Sequence, residues 1–141
     1  MEFEIHQVDW ETRRDSLYKV RHEVFVIGQN VPEEDEVDGA DESCAHFLAV
    51  DASGNPIGTS RVLPDGHIGR VAVLSSWRAK GVGRALMLAS IEQVSAAGLH
   101  EALLHSQLTA AGFYQKLGFE PYGEEFLECD IPHIAMRKDL G

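Results

Sequence analysis

The chain predicts a layered α/β (α+β) domain in which helices lie outside a mixed sheet. Three observations carry this. Apolar spacing switches repeatedly between the two-residue period of strands and the three- and four-residue spacing of helices. The turn sequences Gly54-Asn55-Pro56 and Pro64-Asp65-Gly66 separate consecutive strand-like runs. No internal repeat, low-complexity tract or linker rich in Pro, Gly or Ser interrupts the 141 residues, so residues 1–141 are expected to form one domain.

The elements follow in order. Residues 3–8 alternate as a short strand, and Asp9 is suited to cap a helix over 10–27, where Leu17, Val20, Val24 and Ile27 form one apolar face. The acid-rich stretch 28–43 reads as a loop. Residues 45–51 and 57–63 form a hairpin, and residues 67–74 a third strand. A helix over 82–97 is apolar around much of its circumference, which predicts that it is sandwiched between the sheet and other structure. Gly98 closes it. A strand at 102–106, a helix at 109–117 and two last strands at 119–122 and 134–137 complete the order, with the acidic segment GEEFLECD between the last two.

Composition narrows the function. The 12 Lys and Arg against 23 Asp and Glu give a net charge of −11, which repels phosphate backbones and speaks against nucleic-acid binding. The N-terminus MEFEIHQVDW has no apolar core and no run approaches the ~20 residues needed to cross a bilayer, so a cytoplasmic protein without membrane contact is expected. Cys44 and Cys129 are expected to be reduced thiols. No metal site emerges. A calcium loop with Gly39 as its turn would place Ala45 where the closing Glu belongs, and His22-Glu23 lacks the second histidine of a zinc helix, Val26 standing in its place.

One segment concentrates chemistry. Arg70-Val71-Ala72-Val73 is followed by Arg78-Ala79-Lys80-Gly81-Val82-Gly83-Arg84, an apolar strand, a loop with two glycines and a helix entrance. Free amides at a helix N-terminus attract anions, and glycines let a ligand approach the backbone. Arg78, Lys80 and Arg84 put three cations there, in a chain that is otherwise acidic. The pattern lacks the third glycine of a dinucleotide fold, where Leu86 stands, and it is not a P-loop.

At these residues the chain resembles the GNAT superfamily of acyl-CoA-dependent N-acetyltransferases. Arg78-x-x-Gly81-x-Gly83 matches the family's R/Q-x-x-G-x-G/A loop, and Ala110-Ala111-Gly112-Phe113-Tyr114 through Gly118-Phe119 is similar to its A-x-x-F-Y-x-x-x-G-F element. The segments RHEVFVIGQNVPEEDEVDGAD and IPHIAMR resemble a bacterial subgroup, the ElaA-like and YjcF-like proteins, with Gly28 standing where the subgroup carries an acid. The resemblance implies a mixed sheet of the GNAT acyl-CoA N-acyltransferase fold. It also implies acetyl-CoA as the acyl donor, an amine of a small molecule or peptide as acceptor, and a homodimer as a plausible assembly.

The implied cofactor contacts are Val71, Ala72, Val73, Arg78, Ala79, Lys80, Gly81, Val82, Gly83, Arg84, Gln107, Ala110, Phe113 and Tyr114. Tyr114 is the implied general acid, a phenol being protonated at neutral pH; the other reading is a tyrosine packing a helix on the sheet. Glu34 and His133 are candidate bases, and Arg21, Phe25, Glu33 and Glu128 candidates for the acceptor site. A solvated acidic surface, a structural histidine, a core phenylalanine and a surface-paired arginine account for these positions as well. An acidic rim from Glu33–Glu36 and Glu124–Asp130 would favour a cationic acceptor. A non-catalytic module that binds acyl-CoA is the competing function.

Overall fold

The structure is a computed structural model that describes residues 2–141. A seven-stranded sheet runs in the order β1-β2-β3-β4-β5-β7-β6. Its strands are β1 (Phe3–Val8), β2 (Ala45–Asp51), β3 (Pro56–Val62), β4 (His67–Val73), β5 (Glu101–Gln107), β6 (Glu120–Glu128) and β7 (Ile131–Asp139). The helices are α1 (Trp10–Arg21), α2 (Glu33–Glu36), α3 (Val82–Ala96) and α4 (Ala111–Lys116). All neighbours are antiparallel except β4 and β5, which α3 joins as a parallel crossover.

The strand β2 shows why its sequence is apolar at nearly every position. Phe47 and Ala49 face the larger core, built with Leu86, Met87 and Val94 of α3. Leu48 and Val50 face the other side, against Leu17 of α1. Both faces are covered, so the usual alternation of a half-exposed antiparallel strand disappears.

Five expectations need correction. The helix expected over 10–27 is α-helical only to Arg21 and widens into a π-turn over His22–Ile27, with Val31 N–H reaching back to Phe25 C=O at 3.0 Å. The stretch 28–43 is not a plain loop. It contains α2 and a 3₁₀ turn over Asp41–Ser43, and Glu36 and Asp41 are buried. The helix α3 is covered on one side only: Val82, Leu86, Met87, Ser90 and Val94 are buried while Arg84, Leu88 and Glu92 face solvent. The acidic segment after Tyr122 continues β6 on the outer edge of the sheet, where outward carboxylates cost little and discourage further pairing. Its turn into β7 is Cys129-Asp130, both at positive φ, which suits a two-residue hairpin. The helix expected at 109–117 is shorter, a 3₁₀ turn over Leu108–Ala110 leading into α4.

Candidate active site

The parallel strands β4 and β5 pair only at His67–Leu103 and Ile68–Leu104, then diverge. Beyond Ile68 a bulge breaks the β3–β4 register, and Arg70 sits at φ +49, with its carbonyl accepting from Thr59 Oγ1 at 2.9 Å. Between the splayed strands lies a cavity of about 570 Å³, walled by β4, β5, the π-turn, α2, Tyr114 and the β6–β7 turn.

The β4–α3 loop is one end of this arrangement. Ala79 (φ +60) and Gly81 (φ +87) turn the chain into the helix, and Gly81 is the one whose left-handed backbone caps it. The first helical bond is Ala85 N–H to Gly81 C=O at 3.0 Å, and no described acceptor takes the amides of Val82, Gly83 and Arg84. A Cβ at Gly83 would lie 3.5 Å from Phe113 Cζ and 3.8 Å from Val73 Cγ2, so a bare backbone faces the space between loop and α4. The guanidinium of Arg78 is held by Val73 C=O, its Nε donating at 3.1 Å. Arg78, Lys80 and Arg84 pair with no carboxylate among the described residues. The result is a cationic, amide-lined anion site.

The opposite wall is an ionic cluster. Arg21, only 1% exposed, donates to Glu36 and to both oxygens of Asp41, at 2.8 and 3.1 Å. Arg61 donates to Asp38 Oδ1 at 2.9 Å and Asp41 Oδ1 at 3.0 Å. Arg70 donates to Glu36 C=O at 2.7 Å and lies 3.4 Å from Asp38. Hydrogen bonds from Arg61 hold the Asp38 carboxyl well below the usual range. Burial works against the charge of Asp41, but the hydrogen bonds from Arg21 and Arg61 prevail and its pKa is lowered. This cluster fastens α2 over the cavity.

Of the residues singled out from sequence, Phe25, Val71, Gln107, Ala110, Tyr114, Glu128 and His133 line the cavity. Burial pushes the Tyr114 phenol up to about 12, so it stays protonated at neutral pH. Ala72 instead packs against Val20 and Val24 of the first helix, and Phe113 stands at the α3 loop. Arg21 does not line the cavity, nor is it surface-paired: its whole guanidinium is spent on Glu36 and Asp41. Glu33 and Glu34 are exposed and lie outside the cavity. Glu33 accepts from Tyr18 Oη on the outer side, and Glu34 is left in solvent.

Sequence reasoning gave Arg70 no role of its own and missed Arg61 and His105. The last could have been found, since residues two apart on a strand share a face and Gln107 was already assigned to the site. Gln107 Nε2 in turn donates to Gln29 Oε1 at 2.8 Å, tying β5 to the end of the π-turn.

The architecture matches known proteins. The family model for the acetyltransferase (GNAT) domain covers residues 16–140. A Bacillus subtilis (strain 168) protein described as the uncharacterized N-acetyltransferase YjcF is 38% identical over 133 residues, spanning 92% of this chain and 94% of that one. The crystal structure of an acyl-CoA N-acyltransferase from Pseudomonas aeruginosa superposes with a TM-score of 0.86 at 30% identity, covering 97% and 99% of the two chains. Escherichia coli ElaA gives a TM-score of 0.86 at 29% identity, covering 98% and 100%. The chain belongs to the GNAT acetyltransferase family. No described helix is long and apolar enough to cross a membrane.

Proposed function

We propose that residues 1–141 form an N-acetyltransferase that moves the acetyl group of acetyl-CoA directly onto a primary amine of a small molecule or peptide. The observation that carries this is the loop before α3, where unpaired amides of Val82, Gly83 and Arg84 meet three cations with no carboxylate partner. Those amides, with Ala79, Gly81 and the side chains of Arg78, Lys80 and Arg84, suit a pyrophosphate. The diverging backbone of Val71–Val73 is left to pair with an extended amide-bearing arm, flanked by Gln107, Ala110 and Phe113. Bound acetyl-CoA supplies an acyl carbon already activated as a thioester.

The residues of the chain then handle protons and charge. An amide of Val71–Val73 is suited to stabilise charge developing on the thioester oxygen. Tyr114, protonated and facing the cavity, gives its proton to the departing sulfur. A direct transfer needs no enzyme nucleophile. Thermal unfolding with acetyl-CoA and with free CoA tests the reading. The expected result is an upward shift of several degrees in the wild type that is lost in Gly83→Glu, whose carboxylate would repel phosphate at the helix entrance. No shift at millimolar acetyl-CoA would sink it.

A further inference from the structure

The transfer proposed above leaves one proton without an owner. A primary amine in neutral water is an ammonium, and it must lose a proton before its nitrogen can attack. The far wall of the cavity holds a linked set of groups suited to that task. Glu128, on β6, is shared by two histidines: Oε1 lies 3.2 Å from His105 Nδ1 on β5, and Oε2 lies 3.5 Å from His133 Nε2 on β7. Phe126 stacks on His133 at 5.9 Å and meets His105 edge-on at 5.1 Å.

The two histidines are not equivalent. His133 is buried, and both of its nitrogens face oxygens, since Nδ1 lies 2.6 Å from Ile131 C=O. The Ile131 carbonyl takes the Nδ1 proton, so the lone pair of a neutral His133 ring is on Nε2, which faces Glu128. His105 has one nitrogen committed. A carboxylate only accepts, so the proton between them sits on His105 Nδ1 and Nε2 keeps its lone pair. His105 lines the cavity on the same face of β5 as Gln107, and its side chain is 44% exposed. A carboxylate that fixes the tautomer of a histidine and supports the cation formed on protonation is the arrangement general bases require.

We propose that His105 Nε2 is the general base that deprotonates the acceptor ammonium, with Glu128 as its positioning residue and His133 as the anchor of Glu128. The proposal rests on the N-acetyl-transfer reading. The proton balance closes. His105 Nε2 takes one proton from the ammonium, and the neutral nitrogen bonds to the acyl carbon as the carbon–sulfur bond breaks. Tyr114 Oη supplies the proton of the new thiol, the amide nitrogen sheds its second proton to restore the phenol, and His105 releases the first to water.

Other charges bear on His105. His67 of β4 meets it edge-on at 5.7 Å and is itself held by Asp65 Oδ1 at 2.9 Å. Asp35 of α2, Arg70 of β4 and Cys129 of the β6–β7 turn share the cavity. No three of the described His, Cys, Asp and Glu side chains converge as a metal site.

The test compares His105→Gln with wild type on two acceptors, n-butylamine, an ammonium at neutral pH, and hydroxylamine, which is neutral there. Loss of the base is expected to lower kcat/KM for n-butylamine by ~100-fold or more while leaving hydroxylamine nearly unchanged. The acetyl-CoA thermal shift should be the same in both proteins. An equal loss on the two acceptors, or no loss, overturns the assignment. A wild type that fails to bind acetyl-CoA overturns the transfer reading instead. Where wild type binds acetyl-CoA yet turns over neither probe, long-range ¹H–¹⁵N spectra decide, with the His105 signal assigned by its absence in the variant. A proton on Nδ1 that moves in Glu128→Gln supports the proposal, and a proton on Nε2 refutes it.

Discussion

Replacing Arg21 with methionine should be among the most destabilising single changes in this chain. The guanidinium is 1% exposed, stacks over Trp10 at 5.5 Å, and donates to Glu36 and Asp41. Asp41 keeps Arg61 at 3.0 Å after the change, so its charge stays matched. Glu36 does not. It is 1% exposed, one of its oxygens already lacks a hydrogen-bond partner, and the nearest remaining cation is Arg70 Nε at 3.7 Å. Removing one partner of a buried pair costs about 3–5 kcal/mol because the other charge is stranded. The unfolding entropy of a chain this size is about 0.3 kcal/mol/K, so a loss near 4 kcal/mol lowers Tm by about 13 °C. Urea and thermal denaturation of Arg21→Met measure this directly. The exposed Arg14→Met serves as the control and should stay within about 0.5 kcal/mol of wild type. Adding Glu36→Leu to Arg21→Met should restore much of the loss by removing the stranded charge. A loss below about 1 kcal/mol for Arg21→Met alone would refute the picture of a dry, mutually dependent cluster.

Further outcomes follow from the same geometry. Tyr114→Phe removes the proposed proton donor to the thiol and should lower kcat by about 10²–10⁴-fold while the acetyl-CoA thermal shift persists; an unchanged kcat would assign the proton elsewhere. The folded-state pKa values of Asp38 and Asp41 lie below the unfolded value of about 3.9, so the stability they contribute is complete above that pH. It is lost as pH falls through the lowered folded values. Urea unfolding followed from about pH 6 to pH 3 should show the decline beginning near pH 4 to 5, with a shallower slope in Arg61→Met.

The parts of the fold legible in the sequence are those set by local pattern. Strand alternation, the turns at Gly54-Asn55-Pro56 and Pro64-Asp65-Gly66, and the glycine-bearing entrance to α3 depend on residues near one another in the chain. The acidic stretch 28–43 was opaque for the opposite reason. Whether a carboxylate is solvated or buried depends on the cations that meet it, and Arg21, Arg61 and Arg70 come from α1, β3 and β4. The same applies to the base. Glu34 stands in a suggestive motif but points into solvent, whereas His105, the proposed base, stands in no motif and is singled out by its contact with Glu128, 23 residues later on a different strand. The π-turn also escaped, since Leu17, Val20, Val24 and Ile27 satisfy helical spacing without showing where the turn widens.

The ionic cluster follows from how the cavity is made. Letting β4 and β5 part after two paired residues frees the backbone of β4 for a ligand, but it also opens a hole in the sheet. The chain covers one side of that hole with residues 28–43, a segment carrying seven carboxylates. Left unmatched, such a lid would repel itself and remain hydrated rather than pack. Three arginines answer it, and they come from the elements that frame the opening: Arg21 ends α1, Arg61 lies on β3, and Arg70 occupies the left-handed bulge where β4 begins to turn away. These cations are spent on closing the fold, so they are poor candidates for holding an anionic ligand. The cations that remain unpaired, Arg78, Lys80 and Arg84, lie at the other end, beside the free amides of α3. The separation of matched from unmatched positive charge therefore supports the proposed orientation, with phosphate at the α3 loop and the amine toward the walls carrying Glu128 and His105.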